Sequence, residues 1–186
     1  MRIGVLASGR GTILQALVEA ELPIAVVVVD RPCDASNVAR KAGLPTQLLH
    51  RDSWGPGFDR LAYTEALVDA LWAYRVDLVA MAGFATVLEK PIFDAWPGRV
   101  VNTHPALLPA FSGWHAVEEA LAAGVRVSGC TVHIATPEVD AGPILAQEAV
   151  PILPGDTVES LHERIKEVER RLYPATLASL VASELA

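Results

Sequence analysis

Asn102 and His104 are the residues whose types and spacing most directly suggest chemistry. They end the run Val100-Val101-Asn102-Thr103-His104-Pro105. Two positions apart on an extended backbone, their side chains leave the same face. The amide offers an N–H donor, and the imidazole can give or take a proton near neutral pH. Together they could stabilise a developing oxyanion and manage a proton, which acyl transfer requires. No Ser or Cys suited to act as a nucleophile adjoins them, which favours direct attack by a substrate amine over a covalent acyl-enzyme. The competing reading is a loop histidine satisfied by backbone hydrogen bonds. The run Pro105-Ala106-Leu107-Leu108-Pro109 stiffens the segment and favours a site of fixed geometry.

Asp140, in Val139-Asp140-Ala141-Gly142-Pro143, would orient His104 or stabilise its charge if its turn folds over that strand end. Spacing alone favours an ordinary turn aspartate before glycine. His133 reads as a packed or hydrogen-bonded histidine. A second motif, Ser8-Gly9-Arg10-Gly11, lies between a strand and a helix start. Its glycines permit close backbone approach, and the free N–H groups of the helix start favour an anion. The third glycine of the dinucleotide fingerprint is missing, as is the Lys-Ser/Thr pair of a P-loop. A single phosphate is therefore favoured over NAD or ATP, with a tight turn that binds nothing as the equal alternative. No His, Cys and carboxylate set has metal-ligand spacing, so no metal is expected.

The elements that must position these groups alternate. Strands are expected at Ile3 to Ala7, Ile24 to Val29, Thr46 to Leu49, Val76 to Ala82 and Arg99 to Thr103. Helices are expected near Ile13 to Ala20, with Thr12 and Gln15 spaced as a capping box, and near Ala35 to Ala42, closed by Gly43. A third helix should present Phe58, Leu61, Val68 and Leu71 as its apolar stripe. The second half changes character. Val127 to Ala135 and Pro143 to Val150 form two longer strands joined by a short loop, hence antiparallel. A last helix from Thr157 buries Leu161, Ile165, Val168 and Leu172, and Pro174 should kink or interrupt it. The fold class is α/β: a Rossmann-like, open, mostly parallel twisted sheet with a C-terminal antiparallel extension.

With 186 residues, about half of them apolar, the chain is long enough for a substantial core. A net charge of −7 argues against nucleic-acid binding. Cys33 and Cys130 read as reduced thiols, and the apolar stretch Val76 to Leu88 is too short to span a bilayer. The expectation is a cytoplasmic protein with small-molecule substrates and no membrane or nucleic-acid partner, as a monomer or homodimer.

In combination these residues resemble the folate-dependent formyltransferases over essentially the whole chain. The landmarks, in order, are Ser8-Gly9-x-Gly11 with Leu14-Gln15, Ala82-Gly83-Phe84, and Asn102-x-His104-Pro105 with Leu107-Leu108-Pro109. Gly129-Cys130-Thr131-Val132-His133, Val139-Asp140-x-Gly142-Pro143 and Tyr173-Pro174 follow. The resemblance implies one formyltransferase domain over 1–186, with a phosphate-binding half (1–100) and a catalytic, folate-binding half (101–186). It implies 10-formyltetrahydrofolate as co-substrate and the amino group of glycinamide ribonucleotide as acceptor, a step of purine biosynthesis. Asn102, His104 and Asp140 fall on the catalytic positions. Gly11, Thr12, Ile13, Lys166 and Glu169 fall on positions that bind the ribonucleotide. Arg60, Phe84, Ala85, Thr86, Val87, Leu88 and Val139, with Asn102 and Asp140, fall on the folate site. Ile13 stands where Asn is expected, Ala106 where Ser, Ala110 where Lys, and Arg170 where His. Thr86 stands where a basic residue is common. The changes at Ala110 and Thr86 bear on recognition of the anionic folate tail. Rival readings keep the fold and change the acceptor, as in a formyltetrahydrofolate hydrolase or a Met-tRNA formyltransferase. Their usual additional modules are not expected here. A non-catalytic nucleotide- or folate-binding module is the remaining alternative.

Overall fold

The computed structural model describes residues 1–53 and 55–183. Two compact units divide the chain, Met1–Val101 and Asn102–Ala186.

The first unit is a parallel β/α arrangement. Strands β1 (Ile3–Ala7), β2 (Ile24–Val29), β3 (Thr46–Leu48) and β4 (Leu78–Met81) pair in parallel, β2 with β3 and β1 with both β2 and β4. Every residue of β1 is buried, which is what an apolar strand covered on both faces requires. Helix α1 (Thr12–Glu19) starts from Gly11 in the left-handed region (φ 76°), with no side chain capping it. The capping box expected from Thr12 and Gln15 therefore does not form, because the glycine turn itself occupies the cap position. Gln15 instead donates its backbone N–H to the Gly11 carbonyl and its side-chain N–H to Glu19. Helix α2 (Asp34–Lys41) ends as expected, with Gly43 left-handed and its N–H on Arg40.

Helix α3 (Arg60–Ala73) is capped by Asp59, whose side chain accepts from the Ala62 N–H. Its buried face is Tyr63, Thr64, Leu67, Val68 and Leu71, and Leu61 is half exposed. The expected stripe was out of phase at its start. Thr64, which is no part of the expected stripe, is fully buried, and its hydroxyl donates to Arg60 O and accepts from the Glu89 N–H. Helix α4 (Lys90–Ala95) precedes β5 (Val100–His104), which crosses the boundary between the units.

The second unit holds α5 (Ala116–Ala122), the antiparallel pair β6 (Val127–Ile134) and β7 (Ile144–Pro151), and α6 (Val158–Ser183). Val117, Cys130, Val150, Leu161 and Ile165 form its core, with Val168 and Leu172 packed against them. Helix α6 runs through Pro174 without ending there. Pro174 is itself buried with Tyr173 and Leu177, and that packing keeps the segment helical although the proline leaves one carbonyl without its helical partner. Strand order in the sheet is β3-β2-β1-β4-β5-β6-β7, mostly parallel with an antiparallel C-terminal end. Helices α4 and α5 were not anticipated. They are short, six and seven residues, and carry too little periodicity to stand out. Among the described residues, no helix is long and apolar enough to cross a membrane.

Gly11 tests the glycine turn. A Cβ there would stand 2.8 Å from the Ala35 Cα, on a backbone that disfavours side chains. Gly11→Ala should cost roughly 1–3 kcal/mol of stability, measured as a lowered urea midpoint.

Candidate active site

In the first unit the carboxyl ends of parallel strands gather three loops. Ser8 donates its N–H to the Gly83 carbonyl, and its hydroxyl accepts from the Ala85 N–H. Gly9 O accepts from the Ala35 N–H, so the glycine loop is tied to the start of α2. Gly11 and Ile13 are buried and Thr12 is half-buried, which leaves backbone as what the loop can offer a phosphate. Phe84 and Leu88 are buried, Ala85 and Val87 partly so. Thr86 is also buried, and its hydroxyl donates to Asp30 Oδ2 (3.0 Å). Arg60 is exposed, 3.7 Å from Glu89.

The second unit brings Asn102, His104 and Asp140 together. His104 is buried, with Nδ1 3.2 Å from Asp140 Oδ2 and Nε2 2.7 Å from the Phe111 carbonyl oxygen. A carbonyl and a carboxylate only accept, so a ring protonated on both nitrogens satisfies both. Asp140 Oδ2 also accepts from the Gly113 N–H (2.8 Å). The turn that presents Asp140 has φ 56° at that residue. It passes so close to β6 that a Cβ on Gly142 would lie 1.8 Å from Ile134 O.

His133 joins this group. Its Nδ1 lies 3.0 Å from the Ile134 carbonyl, so that nitrogen carries the proton, and Nε2 accepts from the Asn102 amide (3.4 Å). Burial pulls the ring below its ordinary pKa, with the Ile134 carbonyl and Asp140 opposing, and favours this neutral form. Nε2 lies 3.6 Å from Asp140 Oδ1. The expected hydrogen-bonded histidine thus holds the amide, and because Nε2 only accepts, it makes no hydrogen bond to the nearby carboxylate. Its spacing from Asn102 gave no sign of this, because β6 pairing rather than local sequence brings it there. Phe111 and Gly113 were missed for another reason: they act through backbone groups, which residue type does not advertise.

The segment after His104 is held by more than its prolines. Thr131 donates its hydroxyl to Ala106 O (2.6 Å) and accepts from the Leu108 N–H, while Gln147 donates to both Leu108 O and Thr131. Cys130 is fully buried, and burial pushes its thiol up to about 12, so it stays neutral and is no nucleophile. On α6, Lys166 pairs with Glu163 (3.1 Å). Burial pushes Glu169 up to about 7, against a hydrogen bond from Thr103 and the charges of Lys166 and Arg170. Val139 is more than half exposed.

With this geometry in place, the likenesses to known proteins acquire a site. Residues 1–177 match the family model described as formyl transferase. A phosphoribosylglycinamide formyltransferase of Mycobacterium tuberculosis is 47% identical over 184 residues, spanning 96% of this chain and 84% of that protein. The trifunctional purine biosynthetic protein adenosine-3 of Gallus gallus is 43% identical over 190 residues. That match takes in 98% of this chain but only 18% of the longer protein. Among solved structures, glycinamide ribonucleotide transformylase 1 of Symbiobacterium toebii superposes with a TM-score of 0.88 at 46% identity, covering 95% of this chain and 85% of that one.

The raised Glu169 gives a pH signature. Its folded value, about 7, exceeds the ordinary 4.5, so its contribution to stability is complete below the unfolded value and is lost as pH rises through about 7. Between about pH 5 and about pH 8 the wild-type protein should lose stability relative to Glu169→Gln, in which that slope is absent. Urea midpoints across this range measure it, and parallel curves would count against the raised value.

Proposed function

The chain belongs to the formyl transferase family, and on that premise we propose that it transfers the formyl group of 10-formyltetrahydrofolate to the amine of glycinamide ribonucleotide, as a cytoplasmic enzyme of purine biosynthesis. The observation that carries this reading is the pair of side-chain contacts in the second unit: His104 on Asp140 at 3.2 Å, and the Asn102 amide on His133 at 3.4 Å. The two units act as a single formyltransferase domain in this reading.

The ribonucleotide amine attacks the formyl carbon directly. The carbonyl π electrons move onto oxygen, and the tetrahedral oxyanion takes hydrogen bonds from Asn102 and His104. Asn102 has one amide N–H directed to His133, which orients the group and leaves the other to donate. For His104 to donate as well, one of its two acceptors must give way. The neutral Phe111 carbonyl holds less strongly than a carboxylate, and Phe111 sits at φ 54° in an irregular turn, so the substrate oxygen replaces that carbonyl. Asp140 stays with the ring and stabilises its positive charge. The amine proton passes by way of water near Asp140 to the folate nitrogen, which departs as the carbonyl re-forms. The neutral, buried Cys130 supports transfer without an acyl-enzyme.

The ribonucleotide phosphate is assigned to the backbone of Gly11, Thr12 and Ile13, and its sugar to Glu169 with Lys166 beside it. The replacement of the expected Asn by Ile13 is compatible with this, because a buried Ile13 side chain leaves the loop's N–H groups as the phosphate ligands. The residues assigned to folate are Phe84 to Leu88 and Arg60 in the first unit, and, in the second, Asn102, Val139 and Asp140. No metal is required by this chemistry.

Purified protein with both substrates should produce formylated ribonucleotide, and no comparable folate turnover should occur without the acceptor. Asn102→Ala should fold normally and lose about 100- to 1,000-fold in kcat. Folate turnover indifferent to the ribonucleotide would indicate a hydrolase, and near wild-type turnover by Asn102→Ala would remove the amide from the mechanism.

A further inference from the structure

The cluster around Asp30 in the first unit takes no part in the chemistry above. Asp30 directly follows β2 and is fully buried. Burial alone would raise its carboxyl, but hydrogen bonds from Arg31, Ser8 and Thr86 outweigh this and hold it below its ordinary value. Arg31 grips it with two N–H groups, Nε on Oδ1 at 2.9 Å and Nη2 on Oδ2 at 3.0 Å. The Thr86 hydroxyl adds a bond to Oδ2. Arg51 reaches this carboxylate's neighbourhood through Thr86, whose hydroxyl accepts from Nη1 (3.3 Å).

Ser53 and Phe58 help to seat Arg51. Its Nε donates to Ser53 O (2.9 Å), and its guanidinium lies 4.3 Å from the centre of the Phe58 ring. These contacts fix where the charge sits. Burial pulls Arg51 below the usual guanidinium value; Asp30 opposes this, and the charges of Arg60 and Arg31 add to it. The charges of Arg31 and Arg60 thus bear on Arg51, while Arg31 grips Asp30 through both oxygens and Arg60 lies 3.7 Å from Glu89. An arriving anion would relieve that repulsion.

Position gives the anion its identity. Arg51 hydrogen-bonds Thr86 and feels the charge of Arg60. Both Thr86 and Arg60 belong to the folate positions that the resemblance implies, Thr86 where the anionic tail is recognised, and Thr86 carries no charge of its own. We propose that Arg51, held by Thr86, Ser53 and Phe58, supplies the cation that binds a glutamyl carboxylate of the formyl donor. Asp30 and Arg31 form the buried base that keeps Thr86 in position, so Arg51 sets donor specificity and takes no part in bond making. The inference rests on the donor being a folate.

The test measures what the tail contributes. For wild type and Arg51→Gln, KM is determined with 10-formyltetrahydrofolate and with 10-formyltetrahydropteroate, which lacks the glutamate. The preference for the glutamate-bearing donor should fall about 10- to 100-fold in Arg51→Gln, the size of a lost charge-assisted hydrogen bond, while kcat with the full donor stays within about twofold. An unchanged preference, or equal losses with both donors, would overturn the proposal. If wild type transfers no formyl group at all, the reading of function fails. The tail proposal is then decided by comparing the binding of folic acid and pteroic acid to the same two proteins, with the same shift expected. If Arg51→Gln unfolds, the wild-type preference is measured from about 0.05 to about 0.5 M salt, where recognition by charge requires it to decline. A salt-independent preference would count against Arg51.

Discussion

A buried carboxylate is costly unless its surroundings supply hydrogen bonds and charge, and both units of this chain are organised around meeting that cost. In the second unit the carboxylate is Asp140, whose side chain is 6% exposed. Its partners are a backbone N–H from Gly113 and a ring nitrogen of His104. Supplying them requires the β6–β7 connection to turn tightly at Gly142, the 111–113 segment to fold back, and β5 to end where His104 can reach. In the first unit the carboxylate is Asp30, enclosed by Arg31, Ser8 and Thr86. The loops after β1, β2 and β4 meet there because each contributes to its solvation.

The two histidines beside Asp140 show how environment separates like groups. His133 lies within β6 with Nδ1 committed to the next residue's carbonyl, and burial keeps it neutral, so its remaining nitrogen can only accept. That acceptor fixes the Asn102 amide. His104 faces acceptors on both sides and is suited to carry charge. One ring therefore sets geometry and the other serves as a proton donor, although residue type alone makes them equivalent.

The sequence made some of this legible. Period-two spacing at a strand end was enough to pair Asn102 with His104, because that relation is local. The wholly apolar run of β2 is equally local, and it fits a strand covered on both faces. Asp140 was beyond such reasoning: it comes from a turn 36 positions further on, where an aspartate before glycine is ordinary, and only β6–β7 pairing delivers it. The cap at Thr12 was misjudged because a glycine in the left-handed region took the position a side chain would otherwise fill. The α3 stripe was misjudged at Thr64 because a hydroxyl with two backbone partners is as well satisfied in a core as a methyl group. Local pattern reports propensity and periodicity, whereas these outcomes were decided by partners distant in the chain.

The same distinction explains why a binding function can persist when the residue expected to carry it is absent. A charge at position 86 would sit against buried Asp30 and compete with Arg31 for it. Threonine avoids that competition, and its hydroxyl can donate to the carboxylate and accept from Arg51 at once. The positive charge then resides on a side chain 35 positions earlier, seated on Phe58 and the Ser53 carbonyl. What the site has to preserve is the location of the cation relative to the ligand, and a hydroxyl relay lets that location be kept while the residue that supplies the charge changes.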